Sequence, residues 1–194
     1  THPHADHIGS MAAVVDTFGC ENFIMPEMVS YTRTFENMLS SVEQAGCQTA
    51  YGVAGDTFTL GDAQLKLLWP TEGFDASDPN EISLVLQVTY GEYSFLLTGD
   101  AGKDAEEGFL SQVQPVTVLK AGHHGSNTSS TEAFLQKAQP EYVVISVGAG
   151  NSYGHPSPAM LERLDENCQV LRTDEKGSIV FTVKEGELHV STAR

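Results

Sequence analysis

The first seven residues, Thr1 to His7, constrain this chain more than any other stretch. They hold three of the chain's seven histidines and one aspartate. Neutral imidazole and carboxylate groups are the usual nitrogen and oxygen ligands of zinc and similar divalent ions. Because Pro3 cannot continue a helix, His2 and His4 can point to one place from an extended or looped backbone.

The spacing in this stretch predicts two metal ions rather than one closed structural site. Asp6 and His7 are adjacent in the chain, so they do not easily share the ion that His2 and His4 hold, and they are available to a second ion. The alternative is a solvated, histidine-rich terminus or a tag remnant. Against it, an aspartate is interleaved with the histidines, and the stretch runs directly into an amphipathic pattern.

The composition predicts one globular domain with an acidic surface. At 194 residues, with 40% hydrophobic and 19% charged residues, the chain is large enough for a sizeable core. A nucleic-acid-binding surface normally carries positive charge, so a net charge of −16 argues against tight, non-specific DNA binding by the bulk surface. No apolar run approaches the roughly 20 residues that a membrane-spanning helix needs.

The three cysteines, Cys20, Cys47 and Cys168, are widely spaced and form no Cys-x-x-Cys pair. This spacing is typical of buried small hydrophobic residues rather than metal ligands or a disulfide framework. The cysteines therefore do not indicate a redox compartment.

Hydrophobic periodicity predicts an α/β chain. Apolar residues from Ile8 to Phe18 recur at helical spacing up to Gly19, which predicts a helix beside the histidine cluster. A short strand is expected at 23–25 and a second amphipathic helix at 35–45.

The remainder is predicted to contain hairpins followed by alternating strands and helices. Gly-Asp at 61–62 and Gly-Glu at 91–92 each separate two apolar strands, which indicates two hairpins. Beyond Asp100, Ser129 and Glu132 form a capping box at the start of one helix. A later helix is expected to begin at Ser157-Pro158 and to extend to Leu164.

Polar candidates stand at the ends of successive predicted elements. Asp100 follows a strand, His123 and His124 lie between glycines, and His155 lies in a later loop. Because strand ends at one edge of a sheet come together, we expect these residues to meet the 2–7 cluster. Asp100 is the candidate bridging ligand, since one carboxylate can bind two ions. A turn aspartate and structural loop histidines remain the alternatives.

Water, rather than a serine, is the expected nucleophile. A divalent ion lowers the pKa of water from about 15.7 to ~7. Ser126 follows His-His-Gly, but there is no G-x-S-x-G elbow, so we do not assign it a catalytic role. His189, on the last predicted strand, is expected to be a surface or sheet histidine.

Five blocks of the sequence resemble the metallo-β-lactamase superfamily, and the resemblance covers nearly the whole chain. The blocks are THPHADHIGS (1–10), LLTGD (96–100), LKAGHHGS (119–126), YGHP (153–156) and RTDEKG (172–177). They are most similar to the metallo-hydrolase domain attached to the bacterial competence channel ComEC and to its free-standing relatives. The resemblance implies an α/β fold, an αββα sandwich formed by residues 1–194 as one domain, with the metal site at one sheet edge.

The resemblance also assigns roles to the N-terminal cluster. His2 and His4 would bind a first ion, Asp6 and His7 a second, and Asp100 both. The implied cofactors are two divalent ions, Zn²⁺ or Mn²⁺.

Roles for the later histidines follow from the same resemblance. By similarity to a distant relative, the pneumococcal phosphorylcholine esterase, His124 is the better ligand and His123 faces the substrate. His155 would line the cleft and steady a leaving phosphate oxygen. The expected catalytic group is therefore Asp6, Asp100, His123 and His155.

The chain departs from the superfamily pattern in two ways. The superfamily fold begins with several strands before the first metal motif, so we expect this domain to be N-terminally incomplete. Many members also carry a ligand histidine between the first cluster and the bridging aspartate, but no histidine lies between His7 and His123 here. We therefore expect weaker occupancy of the first ion, with Asp78 and Asn80 as candidate replacement ligands.

Three functions are consistent with these observations. The first is a phosphodiester-cleaving nuclease of the DNA-uptake type acting on single-stranded DNA. The second is a hydrolase of a small phosphoester, such as a choline phosphate, which suits the acidic surface better. The third is an inactive metal-binding module. A bacterial extracellular or cell-surface location is expected, with the cytoplasm as the alternative, and a membrane channel or anchor is expected elsewhere in the full protein.

Overall fold

The computed structural model describes all 194 residues, and its elements are α-helices and β-strands. In chain order these are α1 (Ala5–Ile8), α2 (Met11–Phe18), β1 (Asn22–Met25), α3 (Arg33–Gln44), β2 (Gln48–Tyr51), β3 (Thr57–Leu60), β4 (Ala63–Trp69), β5 (Val85–Tyr90), β6 (Tyr93–Leu97), α4 (Lys103–Phe109), β7 (Val118–Lys120), α5 (Glu132–Ala138), β8 (Tyr142–Ile145), α6 (Pro158–Leu161), β9 (Gln169–Arg172), α7 (Thr173–Lys176), β10 (Ile179–Lys184) and β11 (Glu187–Thr192). None of the helices combines the length and apolarity needed to cross a bilayer.

The central feature is a seven-stranded mixed sheet in which β3 to β9 lie side by side in sequence order. Strands β3 to β6 are antiparallel, and both predicted hairpins are present. Strands β6 to β9 are parallel, so each connection between them must cross over and return to the same edge. As a result, the loops after β6, β7 and β8 open at one edge of the sheet.

The main core lies between this sheet and the helices α4, α5 and α6. A cluster of 17 buried residues includes Phe109, Phe134 and Met160, each with no exposed surface. Gly108 lies directly against the Trp69 ring, where a Cβ atom would come within 2.3 Å of the ring carbon Cζ3. A side chain at this position would force α4 away from the sheet.

Residues 1–51 form a smaller N-terminal lobe. Its α1, α2 and α3 contribute five buried hydrophobic residues, Ile8, Val15, Phe35, Met38 and Val42. Beside them β1 and β2 make a separate two-stranded parallel sheet. Sequence analysis missed β2 because its four residues are all exposed and show no apolar alternation.

Three details differ from the sequence predictions. The helix expected from Ile8 to Phe18 is broken at Gly9, whose approach to the Ala5 carbonyl leaves only 2.5 Å for a Cβ atom. Thr131, rather than Ser129, caps α5 by accepting the Phe134 N–H bond. Ser129 instead donates to the Gly122 carbonyl. The third difference is that α6 ends at Leu161, short of Leu164.

The prediction that the three cysteines are buried small hydrophobic residues is also wrong. Cys20, Cys47 and Cys168 are all partly exposed, and none forms a disulfide in the structure. Cys20 and Cys47 belong to the N-terminal lobe, where they flank its two strands.

Candidate metal centre

The predicted site residues come from three segments that meet at one edge of the main sheet. Asp100 follows β6, and the His123-His124 pair follows β7. These strands are parallel neighbours, so their carboxyl ends lie together. Gly99 allows the close approach of the N-terminal cluster, because a Cβ atom there would lie 2.8 Å from Thr1 Cβ.

Four imidazole nitrogens converge on a single carboxylate oxygen. The distance to Asp100 Oδ2 is 3.1 Å from His7 Nε2 and 3.4 Å from His124 Nε2. It is 3.9 Å from the Nε2 atoms of both His2 and His123. One oxygen cannot accept hydrogen bonds from four donors, so this arrangement fits cations placed among the ligands better than a hydrogen-bond network.

One group around Asp100 has the composition of a metal site. The ligand atoms of Asp6, His7, Asp100 and His124 all lie within 4.8 Å of one another. Asp6 Oδ2 is 3.3 Å from His124 Nε2, and the Nε2 atoms of His7 and His124 are 3.2 Å apart. Two imidazoles and two carboxylates are suitable ligands for zinc or manganese.

A second group lies on the other side of Asp100. His2 Nε2 is 2.9 Å from His4 Nδ1, and it is also the His2 atom that faces Asp100. The two groups therefore share Asp100, as expected for a bridging carboxylate. Asp100 is only 2% exposed, and its Oδ1 atom has no hydrogen-bond partner. The assignment of two ions stays a prediction.

The protonation states at the centre favour ligation. Burial lowers the pKa of His2 to about 3, so its imidazole is neutral and its lone pair is free. Burial alone would raise the pKa of the Asp100 carboxyl. Hydrogen bonds from His124 and His7, with the Lys120 ammonium, outweigh burial and hold that pKa well below its usual range.

The orientation of His124 is fixed from behind. Its Nδ1–H donates to the Ser146 carbonyl over 2.7 Å, which leaves Nε2 facing Asp100 and Asp6. The hydrogen bond to Asp100 is the main reason that the pKa of His124 is raised. A proton on Nε2, between the imidazole and the Asp100 carboxylate, supplies the positive charge that a metal ion would supply at that position. A carbonyl partner on the far nitrogen is typical of metal-binding histidines.

Sequence analysis missed two residues that contact Asp100 and its neighbours. Ser83 is fully buried, and its Oγ accepts the Asp100 N–H and contacts His2 Nδ1, both at 3.1 Å. Lys120 Nζ donates to the Gly99 carbonyl at 2.6 Å and lies 3.6 Å from Asp100 Oδ1. The available sequence signal was a lysine ending an otherwise apolar strand directly before the Gly-His-His-Gly loop.

We expect Lys120→Met to destabilise the protein by about 2 kcal/mol in the presence of EDTA. A charged hydrogen bond is lost, and the Asp100 carboxylate loses the neighbouring Lys120 ammonium. The loss should shrink in Mn²⁺, because bound cations would then neutralise the carboxylate. Urea unfolding of both forms with EDTA and with Mn²⁺ measures the difference. Lys103→Met, which removes only an exposed 3.6 Å ion pair with Glu107, should cost no more than ~0.5 kcal/mol in either condition. Equal losses for Lys120→Met with and without metal would contradict this explanation.

His123 and His155 extend the site away from the metal ligands. Their ring centroids are 5.8 Å apart, and His155 stacks on Tyr153 at 5.9 Å. Burial lowers the pKa of both imidazoles, so both are neutral near pH 7. The Nδ1 atom of His155 is buried without a hydrogen-bond partner. A neutral imidazole can donate one hydrogen bond to a substrate oxygen.

A polar cleft of about 520 Å³ adjoins Asp100 on the side of His123, and no hydrophobic residue lines it. Its walls are formed by Asp78, Asn80, Glu81, Asp100, Gly102, Lys103, Asp104, His123, Asn127, Thr128, Thr131, Glu132 and Arg163. The two candidate replacement ligands are therefore on the cleft wall. The Asp78 carboxylate accepts the Asn80 N–H at 2.9 Å and is not part of the convergent group, so its proposed ligand role finds no support in this geometry.

The remaining polar candidates lie where the sequence predicted. His189 is exposed on β11, opposite Thr182 of β10, as expected for a surface histidine. Ser126 Oγ contacts Thr128 Oγ1 at 3.0 Å within the loop, a structural rather than a nucleophilic arrangement.

The loop that carries the histidine pair has an unusual backbone, and it is held from two sides. His123, His124 and Ser130 all have left-handed φ angles, of 46°, 55° and 51°. Such conformations persist only when the surrounding structure enforces them. Buried Glu106 accepts the N–H groups of Ser130 at 2.5 Å and of the next residue at 2.8 Å. From the other side, Arg163 donates to the carbonyl of residue 129 at 3.0 Å.

This chain is similar to known proteins over most of its length. The family model described as "Metallo-beta-lactamase superfamily" matches residues 1–149. ComE operon protein 3 of Bacillus subtilis is 33% identical over 187 residues, which is 95% of this chain and 24% of that protein. Competence protein ComA of Neisseria gonorrhoeae is 38% identical over 133 residues, covering 66% of this chain and 19% of that protein. Recombination protein 2 of Haemophilus influenzae is 27% identical and covers 100% of this chain and 23% of that protein.

Solved structures agree on the fold. The metallo-beta-lactamase fold protein YhfI from Bacillus subtilis superimposes with a TM-score of 0.58 at 10% identity, covering 98% of this chain and 75% of that one. The CmlA beta-hydroxylase gives a TM-score of 0.57 at 12% identity, covering 89% of this chain and 42% of that one. The fold class predicted from the sequence is confirmed. This chain spans between 19% and 24% of the lengths of the three relatives named above. The expectation that the domain is N-terminally incomplete stays a prediction.

Proposed function

This chain belongs to the metallo-beta-lactamase superfamily, and from that premise we propose that it is a metal-dependent hydrolase that cleaves phosphodiester bonds. The observation that carries the proposal is the convergence of four imidazole nitrogens on Asp100 beside a cleft with no hydrophobic lining. An entirely polar cleft suits a charged, hydroxyl-rich substrate better than an apolar acyl group.

The residues of the centre divide into those that hold cations and those that face the substrate. The divalent ions would be held by His2, His4, Asp6, His7, Asp100 and His124. Divalent ions at such a site supply Lewis-acid polarisation and activate water near neutral pH. Asp100 would hold the imidazole groups in position, because its buried carboxylate is their common partner.

His123 and His155 are the groups that face the substrate. Both imidazoles are neutral, so each can donate one N–H to a phosphate oxygen without carrying a charge that competes with the ions. We assign His155 to the leaving-group oxygen, because its ring lies beside that of His123, with the two ring centroids 5.8 Å apart. His123, with 29% of its side chain exposed, is placed to contact the scissile phosphate.

Single-stranded DNA is the substrate we favour. The name of one relative refers to competence and that of another to recombination, which is in keeping with a nucleic-acid substrate. Metal ions would make the centre locally positive despite the net charge of −16. Lys103 at the cleft rim supplies a further cation for the phosphate backbone.

A small phosphoester, such as a choline phosphate, is the second candidate. The observation in its favour is that the cleft lining contains four acidic side chains besides Asp100, namely Asp78, Glu81, Asp104 and Glu132, against the cations Lys103 and Arg163. Such a lining repels a polyanion at long range but tolerates a small substrate with a cationic group.

Parallel assays with three substrates separate these functions. Purified protein is incubated with Mn²⁺ or Zn²⁺ and with single-stranded DNA, bis(p-nitrophenyl) phosphate or p-nitrophenylphosphorylcholine. We expect metal-dependent cleavage of the first two. Preference for the choline ester would select the second candidate. Bound metal without turnover of any substrate would indicate an inactive metal-binding module.

The His124→Ala variant shows whether the activity belongs to this site. Its hydrolysis rate should fall by at least about 100-fold, because a metal ligand and its contact with Asp6 are both lost. His189→Ala removes an exposed histidine on β11 and should retain the parent rate. Undiminished activity in His124→Ala would contradict the site assignment.

The bacterial extracellular or cell-surface location is also a proposal. We infer it together with attachment to a membrane channel or anchor in a longer protein, because this chain matches 19–24% of its relatives' lengths. Protease digestion of intact cells that carry the full-length protein would remove this domain if the proposal is right and spare it if the domain is cytoplasmic.

A further inference from the structure

Two of the three cysteines lie at the same end of the small sheet of the N-terminal lobe. Cys47 directly precedes β2, and Cys20 lies two residues before β1. The strands are parallel with Asn22 opposite Gln48, and the Gln48 N–H donates to the Glu21 carbonyl at 2.8 Å. Extending this register by one step places residue 21 opposite Cys47, so Cys20 is its diagonal neighbour.

This placement meets the Cα distance that a disulfide requires. Parallel strands lie about 4.8 Å apart and rise about 3.3 Å per residue, so diagonal neighbours have Cα atoms about 5.8 Å apart. Disulfides span Cα distances of roughly 4.4–6.8 Å. Burial and the neighbouring Cys20 thiol raise the pKa of the Cys47 thiol, in keeping with two sulfur atoms that lie near each other. Both residues are partly exposed, so an oxidant in solution can reach them.

The N-terminal lobe has little else to hold it together. It has five buried hydrophobic residues, against 17 in the main core, and all four residues of β2 are exposed. A bond between Cys20 and Cys47 would enclose α3 and close a loop of 28 residues, counted from 20 to 47 inclusive. Cross-links of this kind stabilise mainly by restricting the unfolded chain.

We propose that Cys20 and Cys47 form an intramolecular disulfide under oxidising conditions and that this bond braces the lobe carrying His2 to His7. One protein thiolate attacks a disulfide oxidant such as glutathione disulfide, forming a mixed disulfide and releasing one glutathione. The second protein thiolate then attacks the protein sulfur of that mixed disulfide and releases the second glutathione. The two cysteines lose two electrons and two protons, and the oxidant gains both.

Peptide mapping tests the bond directly. The protein is treated with glutathione disulfide, alkylated with iodoacetamide and digested with trypsin without reduction. Cleavage after Arg33, Lys66, Arg163 and Arg172 leaves Cys20 in peptide 1–33, Cys47 in peptide 34–66 and Cys168 in peptide 164–172, a set fixed by the sequence. We expect peptides 1–33 and 34–66 to be joined and Cys168 to be alkylated.

Thermal unfolding tests the bracing. The oxidised protein should melt about 4–16 °C above the reduced protein. This range follows from the typical stabilisation by one disulfide and from the Tm shift that such a stabilisation causes in a domain of this size. Cys168→Ser should show the same shift, and Cys20→Ser and Cys47→Ser should show none. Both thiols remaining free in oxidised glutathione, a bond to Cys168, or a dimer on a non-reducing gel would overturn the proposal. A bond without a change in Tm would overturn the bracing role.

Discussion

Replacing Asp100 with asparagine is expected to lower metal-dependent hydrolysis by at least about 100-fold and to release bound metal. The substitution keeps the shape of the side chain but removes the charge on which four imidazole nitrogens converge. It also replaces one carboxylate oxygen with an NH₂ group, which cannot ligate a cation. Initial rates with bis(p-nitrophenyl) phosphate and metal content by mass spectrometry measure both effects.

Asp16→Asn is the matched control for this substitution. Asp16 is exposed on α2, so the same chemical change should leave rate and metal content unaltered. If Asp100→Asn kept both its metal and its rate, Asp100 would not be the bridging ligand, and the shared centre proposed for the two histidine groups would be wrong.

The second large effect is expected from Glu106→Ala, which should lower the free energy of unfolding by about 3 kcal/mol. The Glu106 carboxylate is 1% exposed and accepts two backbone N–H groups, at 2.5 and 2.8 Å. Removing it leaves two buried donors unsatisfied at the base of the His123-His124 loop. Burial raises the pKa of the Glu106 carboxyl, which offsets part of this contribution.

Urea unfolding with the neighbouring Glu107→Ala as control isolates the effect. Glu107 is exposed, and its only ion pair is with Lys103 at 3.6 Å, so its removal should cost no more than ~0.5 kcal/mol. Similar losses in the two variants would show that the buried carboxylate does not anchor the loop. Activity should also fall in Glu106→Ala, even at temperatures where the variant remains folded, because His124 loses its enforced backbone conformation.

Local chemistry explains which predictions from the sequence succeeded. Ligand type and spacing depend on residues close in the chain, so the cluster at 2–7 could be identified as a candidate metal site directly. The two hairpins were equally accessible, because each depends on a two-residue turn between apolar runs. The failures lie where tertiary contacts override local preference, as at β2, which is a strand only because β1 pairs with it.

The sequence by itself determined the ligand chemistry, the alternation of strands and helices, and the candidate residues Asp100, His123 and His124. Only the tertiary structure decided that His123 and His124 approach the same carboxylate oxygen of Asp100. It also decided that buried Ser83 accepts the Asp100 N–H and that Lys120 lies near the other carboxylate oxygen. The physical reason is the parallel order of β6, β7 and β8. That order brings together loops far apart in the chain, and contacts of this kind have no signature in the spacing of any single segment.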